Sequence, residues 1–99
     1  MTKNQVQAWA TSSVKADNAT VTRVVVPNVR INAECTQKVR FLLRKDKHVI
    51  VARTKGFDPI RIRADGDKFR ATAQDGFTSL TAPTAAKAFA NAAKVVWVN

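Results

Sequence analysis

Residues 58–81 read DPIRIRADGDKFRATAQDGFTSLT, and the fold turns on this stretch. Asp65-Gly66 sits between two runs in which apolar and polar residues alternate. Alternation at period two marks half-buried strands, and Asp-Gly supplies the positive φ that a two-residue hairpin turn requires. Counting outward from that turn, Ala64 faces Asp67, Arg63 faces Lys68, Ile62 faces Phe69, Arg61 faces Arg70 and Ile60 faces Ala71. Ile60, Ile62, Phe69 and Ala71 then share one face, and Arg61, Arg63, Lys68, Arg70 and Thr72 share the other. Like charges directly opposed destabilise a ribbon by a fraction of ~1 kcal/mol per pair. Two such pairs side by side point to an anion that the chain does not itself contain. Long cationic side chains also splay into water and protect a sheet edge from aggregation, and that plainer role stays open.

Downstream of the hairpin, Asp75-Gly76 is a second turn signal, and an alanine-rich helix follows with Thr81 as N-cap and Pro83 in its first turn. Ala85, Phe89, Ala92 and Val96 recur at i, i+4, i+7 and i+11, a stripe suited to covering the apolar strip of the hairpin. KVVWV, residues 94–98, is β-branched and aromatic and is expected to leave the helix as an extended segment that docks Trp97.

Upstream, Lys55-Gly56-Phe57-Asp58-Pro59 is a turn and His48–Thr54 a strand built on Val49-Ile50-Val51-Ala52. Residues 29–45 admit two readings. As a helix, Asn32 is the N-cap, Glu34 suits the dipole of the first turn, and Cys35, Val39, Leu42 and Leu43 form one face. As a strand, Val39, Phe41 and Leu43 alternate with Lys38, Arg40 and Leu42. The helix is preferred, because cap, dipole and stripe agree with one another. Thr20–Val26 is a strand closed by Pro27-Asn28. Residues 1–17 form a tail or one short helix carrying Trp9, ahead of a single domain over residues 18–99. The expected fold is α+β: a small, mostly antiparallel sheet of about four strands packed by one or two helices, in the order (α)-β-α-β-β-β-α-(β).

The 99 residues carry a formal net charge of +10, which favours a polyanionic partner. The charge is concentrated: from Lys38 to Arg70 there are eleven Lys or Arg against four Asp, net +7. One cysteine, Cys35, excludes an intramolecular disulfide, and no apolar run reaches the ~18 residues of a membrane span. The N-terminus MTKNQVQAWATSS lacks the apolar core of a secretory signal, so a cytoplasmic protein is expected.

Catalysis has little to work with: one histidine, one cysteine and no adjacent acid to build a nucleophile and base. His48 and Cys35 read as structural, and Asp65 and Asp67 as turn residues too few for calcium. No enzyme activity, cofactor or metal is therefore expected. Nucleic acid is the better fit. A two-stranded ribbon matches the DNA major groove, and this one presents Arg61, Arg63, Lys68 and Arg70. Arg40, Arg44, Lys45, Lys47, Arg53 and Lys55, with Lys38, supply further phosphate contacts if they share its surface. Tyrosine is absent, and Phe41, Phe57 and Phe77 are the candidates for exposed aromatics, which disfavours single strands read by stacking.

Within FRATAQDGFTSLTAPTAAKAFANAAKVVWV, residues 69–98, stand Asp75-Gly76, then Thr78-Ser79-Leu80-Thr81, then Ala85-Ala86-Lys87 opening the helix, and a closing Trp97. This segment resembles the C-terminal hairpin-and-helix module of RAMA type (restriction-enzyme adenine-methylase-associated). The family's Asn-Gly-Trp after the helix is replaced here by Asn91-Ala92-Ala93-Lys94. The resemblance implies association with DNA or DNA-modifying systems. The expectation is a small basic nucleic-acid-binding protein that favours duplex DNA. The competing class is a phage- or mobile-element-type accessory or inhibitor protein that docks on an acidic host surface.

Overall fold

The computed structural model describes residues 21–44, 47–73 and 81–98. Both the N-terminal segment 1–17 and the Asp75-Gly76 turn lie outside them, as do Lys45 and Phe77. The strands are β1 (Val21–Asn32), β2 (Cys35–Arg44), β3 (Val49–Arg53), β4 (Ile60–Asp65), β5 (Lys68–Ala73) and β6 (Thr81–Ala82), and the helix α1 spans Ala85–Val96. They form one six-stranded sheet in the order β1-β2-β3-β4-β5-β6, with each adjacent pair antiparallel. The α+β class and the antiparallel sheet match the sequence reading; the strand number does not.

Beside the two-residue β6, which the sequence reading lacked, two corrections enlarge the sheet. The first is β1, which runs through Pro27 instead of ending at Val26. Its register with β2 shifts between Val26 and Val29, so Pro27 and Asn28 occupy a bulge. β1 is an edge strand, and there a missing N–H leaves no gap in a ladder. The second is residues 35–44, which are strand and not helix. Val39, Phe41 and Leu43 are buried while Lys38 and Arg40 are exposed. A helix over the same residues would have left Phe41 off the apolar stripe; the strand buries it between β1 and β3. Asn32, read as a helix cap, does accept a backbone N–H two residues on, from Glu34 at 2.8 Å. It closes a hairpin turn by the same local chemistry.

The hairpin of β4 and β5 has the expected faces but a different turn. Asp65 pairs with Lys68, Ala64 with Phe69, Arg63 with Arg70, Ile62 with Ala71 and Arg61 with Thr72. The loop is therefore Gly66-Asp67. Gly66 has φ +64° while Asp67 does not adopt positive φ, the pattern of a type II′ turn with glycine first. The shift is even, so no side chain changes face. It does change partners: neither expected like-charge pair, Arg63 with Lys68 or Arg61 with Arg70, forms, and a different one, Arg63 with Arg70, takes their place.

α1 covers one face of the sheet, chiefly over β4 and β5. Ala85, Phe89 and Ala92 are buried as the stripe predicts, and Ala88 and Ala93 join them. Small side chains let the helix lie close. Phe89 meets Phe41 and Trp97 edge-on, each at 5.3 Å between ring centroids. Such pairs contribute about 0.5–1.5 kcal/mol beyond area burial. The N-cap is Thr84 and not Thr81: its hydroxyl accepts from Lys87 N at 3.2 Å, while Thr81 belongs to β6. Residues 94–96 remain helical, and Trp97 is the C-cap, fully buried. Phe41, expected among the exposed aromatics, is 3% exposed.

Candidate nucleic-acid interface

Residues directly opposed across an antiparallel sheet share a face, so the register shows what lies on the side away from α1. One cross-strand row reads Arg44, Val49, Arg63, Arg70 and Thr81, from β2 to β6. The next reads Arg23, Leu42, Val51, Arg61 and Thr72, from β1 to β5. A third holds Val25, Arg40 and Arg53. Adjacent rows are about 6.7 Å apart and adjacent strands about 4.8 Å, so the cations form a two-dimensional lattice and not a single stripe.

Of the predicted contacts, Arg40, Arg44, Arg53, Arg61, Arg63, Lys68 and Arg70 thus share one surface. Lys55 lies in the β3–β4 connection at one end, and Lys47 in the β2–β3 turn at the other. Arg23 and Arg30 were not anticipated. Arg23 faces Leu42, and Arg30, past the bulge, faces Thr36 on the same side as Lys38 and Arg40. Ending the first strand at Pro27 hides Arg30; continuing its alternation through the bulge would have found it.

Arg23, Arg40, Arg53, Arg63 and Lys68 are exposed, and Arg44, Arg61 and Arg70 half-buried. Among the described residues Asp65 is the only carboxylate on this face. It takes both Nε and Nη2 of Arg70 on Oδ2, each at 3.0 Å. Between the cations lie Leu42, Val49 and Val51, and the two valines are buried. Val49 is flanked in register by Arg44 and Arg63, whose methylene stems are long enough to lie over it. The aliphatic floor thereby limits where each guanidinium can sit.

No aromatic ring stands on this face among the described residues: Phe41, Phe69 and Phe89 are in the core, and Phe57 is at the rim. The hairpin does not stand free as a ribbon, since β3 flanks it on one side and β6 on the other. His48 is exposed in the β2–β3 turn at φ +52°, and Cys35 is half-buried, with Gln37 Nε2 3.4 Å from its sulfur. Among the described residues no group of three or more His, Cys, Asp or Glu could hold a metal ion, and no helix is long and apolar enough to cross a membrane. Comparison with family models, curated proteins and solved structures yields no match for this chain.

Proposed function

We propose that the chain binds duplex nucleic acid, DNA in the first instance, by laying the open face of the sheet along the phosphate backbone. The supporting observation is the arginine lattice itself, spread from β1 to β5 with a lone carboxylate among the described residues. Ordinary solvated surfaces mix the two signs, because a one-sign field opposes folding by self-repulsion. The reading moves away from insertion of a hairpin into the major groove. A sheet six strands across is about 24 Å wide at ~4.8 Å per strand, and the groove is ~12 Å. The β4–β5 hairpin instead supplies the middle of a broad platform.

Among the described residues the open face presents no aromatic ring, which favours duplex over single strand. Phosphate contacts fix orientation without reading bases, so binding is weakly dependent on sequence. The resemblance of residues 69–98 to the RAMA-type module points the same way. The test is fluorescence anisotropy with a labelled duplex of about 20 base pairs between ~50 and ~200 mM salt. Each phosphate neutralised adds about −0.9 to the slope of log K against log salt, and a slope of about −4 or steeper is expected. Arg61→Gln with Arg63→Gln should make the slope shallower by about 2. An absence of duplex binding at ~50 mM salt would overturn the reading and turn attention to an acidic protein surface.

A further inference from the structure

A groove of about 530 Å³ opens at the rim of the sheet, lined by Gln37, Lys38, Arg40, Arg53, Thr54, Lys55, Phe57 and Pro59. Its volume falls within the range of small-ligand sites. One wall is the start of β2, the other the chain leaving β3, and the Thr54 hydroxyl ties them by donating to the Lys38 carbonyl at 2.9 Å. Among the described residues four cations line the groove and no carboxylate does.

Arg40 and Arg53 face each other directly across β2 and β3. Such a pair is repulsive unless something negative lies between. In the hairpin, Asp65 engages Arg70 of the Arg63–Arg70 pair; among the described residues lining the rim no carboxylate does the same. Two guanidiniums in register present forked donors that match phosphate oxygens. Phe57 adds an apolar ring, packed on one side against the core and lining the same groove. An inorganic oxyanion would use the cations and leave the ring unused.

We propose that this groove is a nucleotide site, with the phosphate held between Arg40 and Arg53 and the base against Phe57. Lys38 and Lys55 extend the anionic capacity to a second phosphate. The ligand is either a free nucleotide or the 5′-phosphorylated end of a strand; both carry the same chemistry. The site shares Arg40 and Arg53 with the face proposed for duplex docking and adds Phe57 at the rim.

Isothermal titration of the full chain at ~50 mM salt, with ADP, adenosine and pyrophosphate, tests it. ADP should bind saturably at one per chain, with adenosine and pyrophosphate each about tenfold weaker or more, the loss expected when a charged or stacked contact is removed. Arg53→Gln should weaken ADP about tenfold. Phe57→Leu, which keeps an apolar side chain against the core and removes the ring, should weaken ADP and leave pyrophosphate unchanged. Competition of ADP by a 5′-phosphorylated trinucleotide, too short to span the face, but not by its 5′-hydroxyl form, would assign the strand end as the source. Competition by neither would assign the free nucleotide. Arg61→Gln with Arg63→Gln should weaken duplex binding while ADP affinity stays within about twofold, which separates the two readings. The proposal is overturned if ADP shows no saturable binding at millimolar concentration, if pyrophosphate binds as tightly, or if Arg53→Gln changes nothing.

Discussion

Trp97 Nε1 donates a 2.8 Å hydrogen bond to the backbone carbonyl of Asp58, thirty-nine positions earlier in the chain. Asp58 sits in the connection between β3 and β4, next to Phe57 and Pro59 of the rim groove. The end of α1 is thereby pinned to the loop that shapes the groove, and Trp97 is fully buried where it does so. Trp97→Phe keeps a ring and loses the donor. It should lower unfolding free energy by about 1–2 kcal/mol, and Trp97→Ala by about 3–5. Urea denaturation followed by circular dichroism measures both; equal costs would show that the hydrogen bond, and not the bulk of the ring, sets the loss.

Gly66 holds φ +64°, and a Cβ added there would meet nothing within 4 Å. Space is thus no obstacle, and Gly66→Ala reports backbone strain alone. A loss of about 1–2 kcal/mol is expected in thermal or urea unfolding. A neutral result would show that the turn relaxes to another type.

Thr84 caps α1 through its hydroxyl, and the first turn carries no acidic residue. Thr84→Ala should cost about 1 kcal/mol, while Thr84→Asp should be neutral or slightly stabilising because it keeps an acceptor and adds a charge favoured by the dipole. Comparing the two midpoints separates loss of the cap from loss of the β-branched side chain.

Asp65→Asn removes the carboxylate that engages Arg70. Both side chains are about half exposed, 42% and 50%, so solvent screening keeps the stability change below about 0.5 kcal/mol. Duplex affinity at ~50 mM salt should rise, by about threefold, and the gain should shrink at ~200 mM. Anisotropy titrations at the two salt concentrations check it; weaker binding would mean that the pair positions Arg70 for its contact.

The hairpin faces and the buried stripe of the helix were legible because they rest on local periodicity. What was not legible depended on neighbours. Residues 35–44 carry both periods, and only the presence of β1 and β3 on either side makes the strand bury Phe41. Pro27 carries a stop signal whose force depends on whether the strand is central or at an edge, which the residue itself does not reveal. The turn was displaced by one position because Asp-Gly and Gly-Asp both supply a glycine with positive φ. For the site, the residue types and most positions were evident, but the arrangement was not. Arg40 opposite Arg53 is a pairing across β2 and β3, and it has no meaning while 35–44 is read as a helix.

Every strand pairs with its neighbour in the chain, from β1 to β6. Joining them closes only short loops, and loop closure is the entropic cost that slows β proteins. The contacts spanning the greatest distance in sequence are those of α1, from Phe89 to Phe41 and from Trp97 to Asp58. The sheet can therefore assemble by successive zippering, with docking of the helix as the closing event. On this topology, substitutions at Phe89 and Trp97 should speed unfolding more than they slow folding, whereas those in the β4–β5 hairpin should do the reverse.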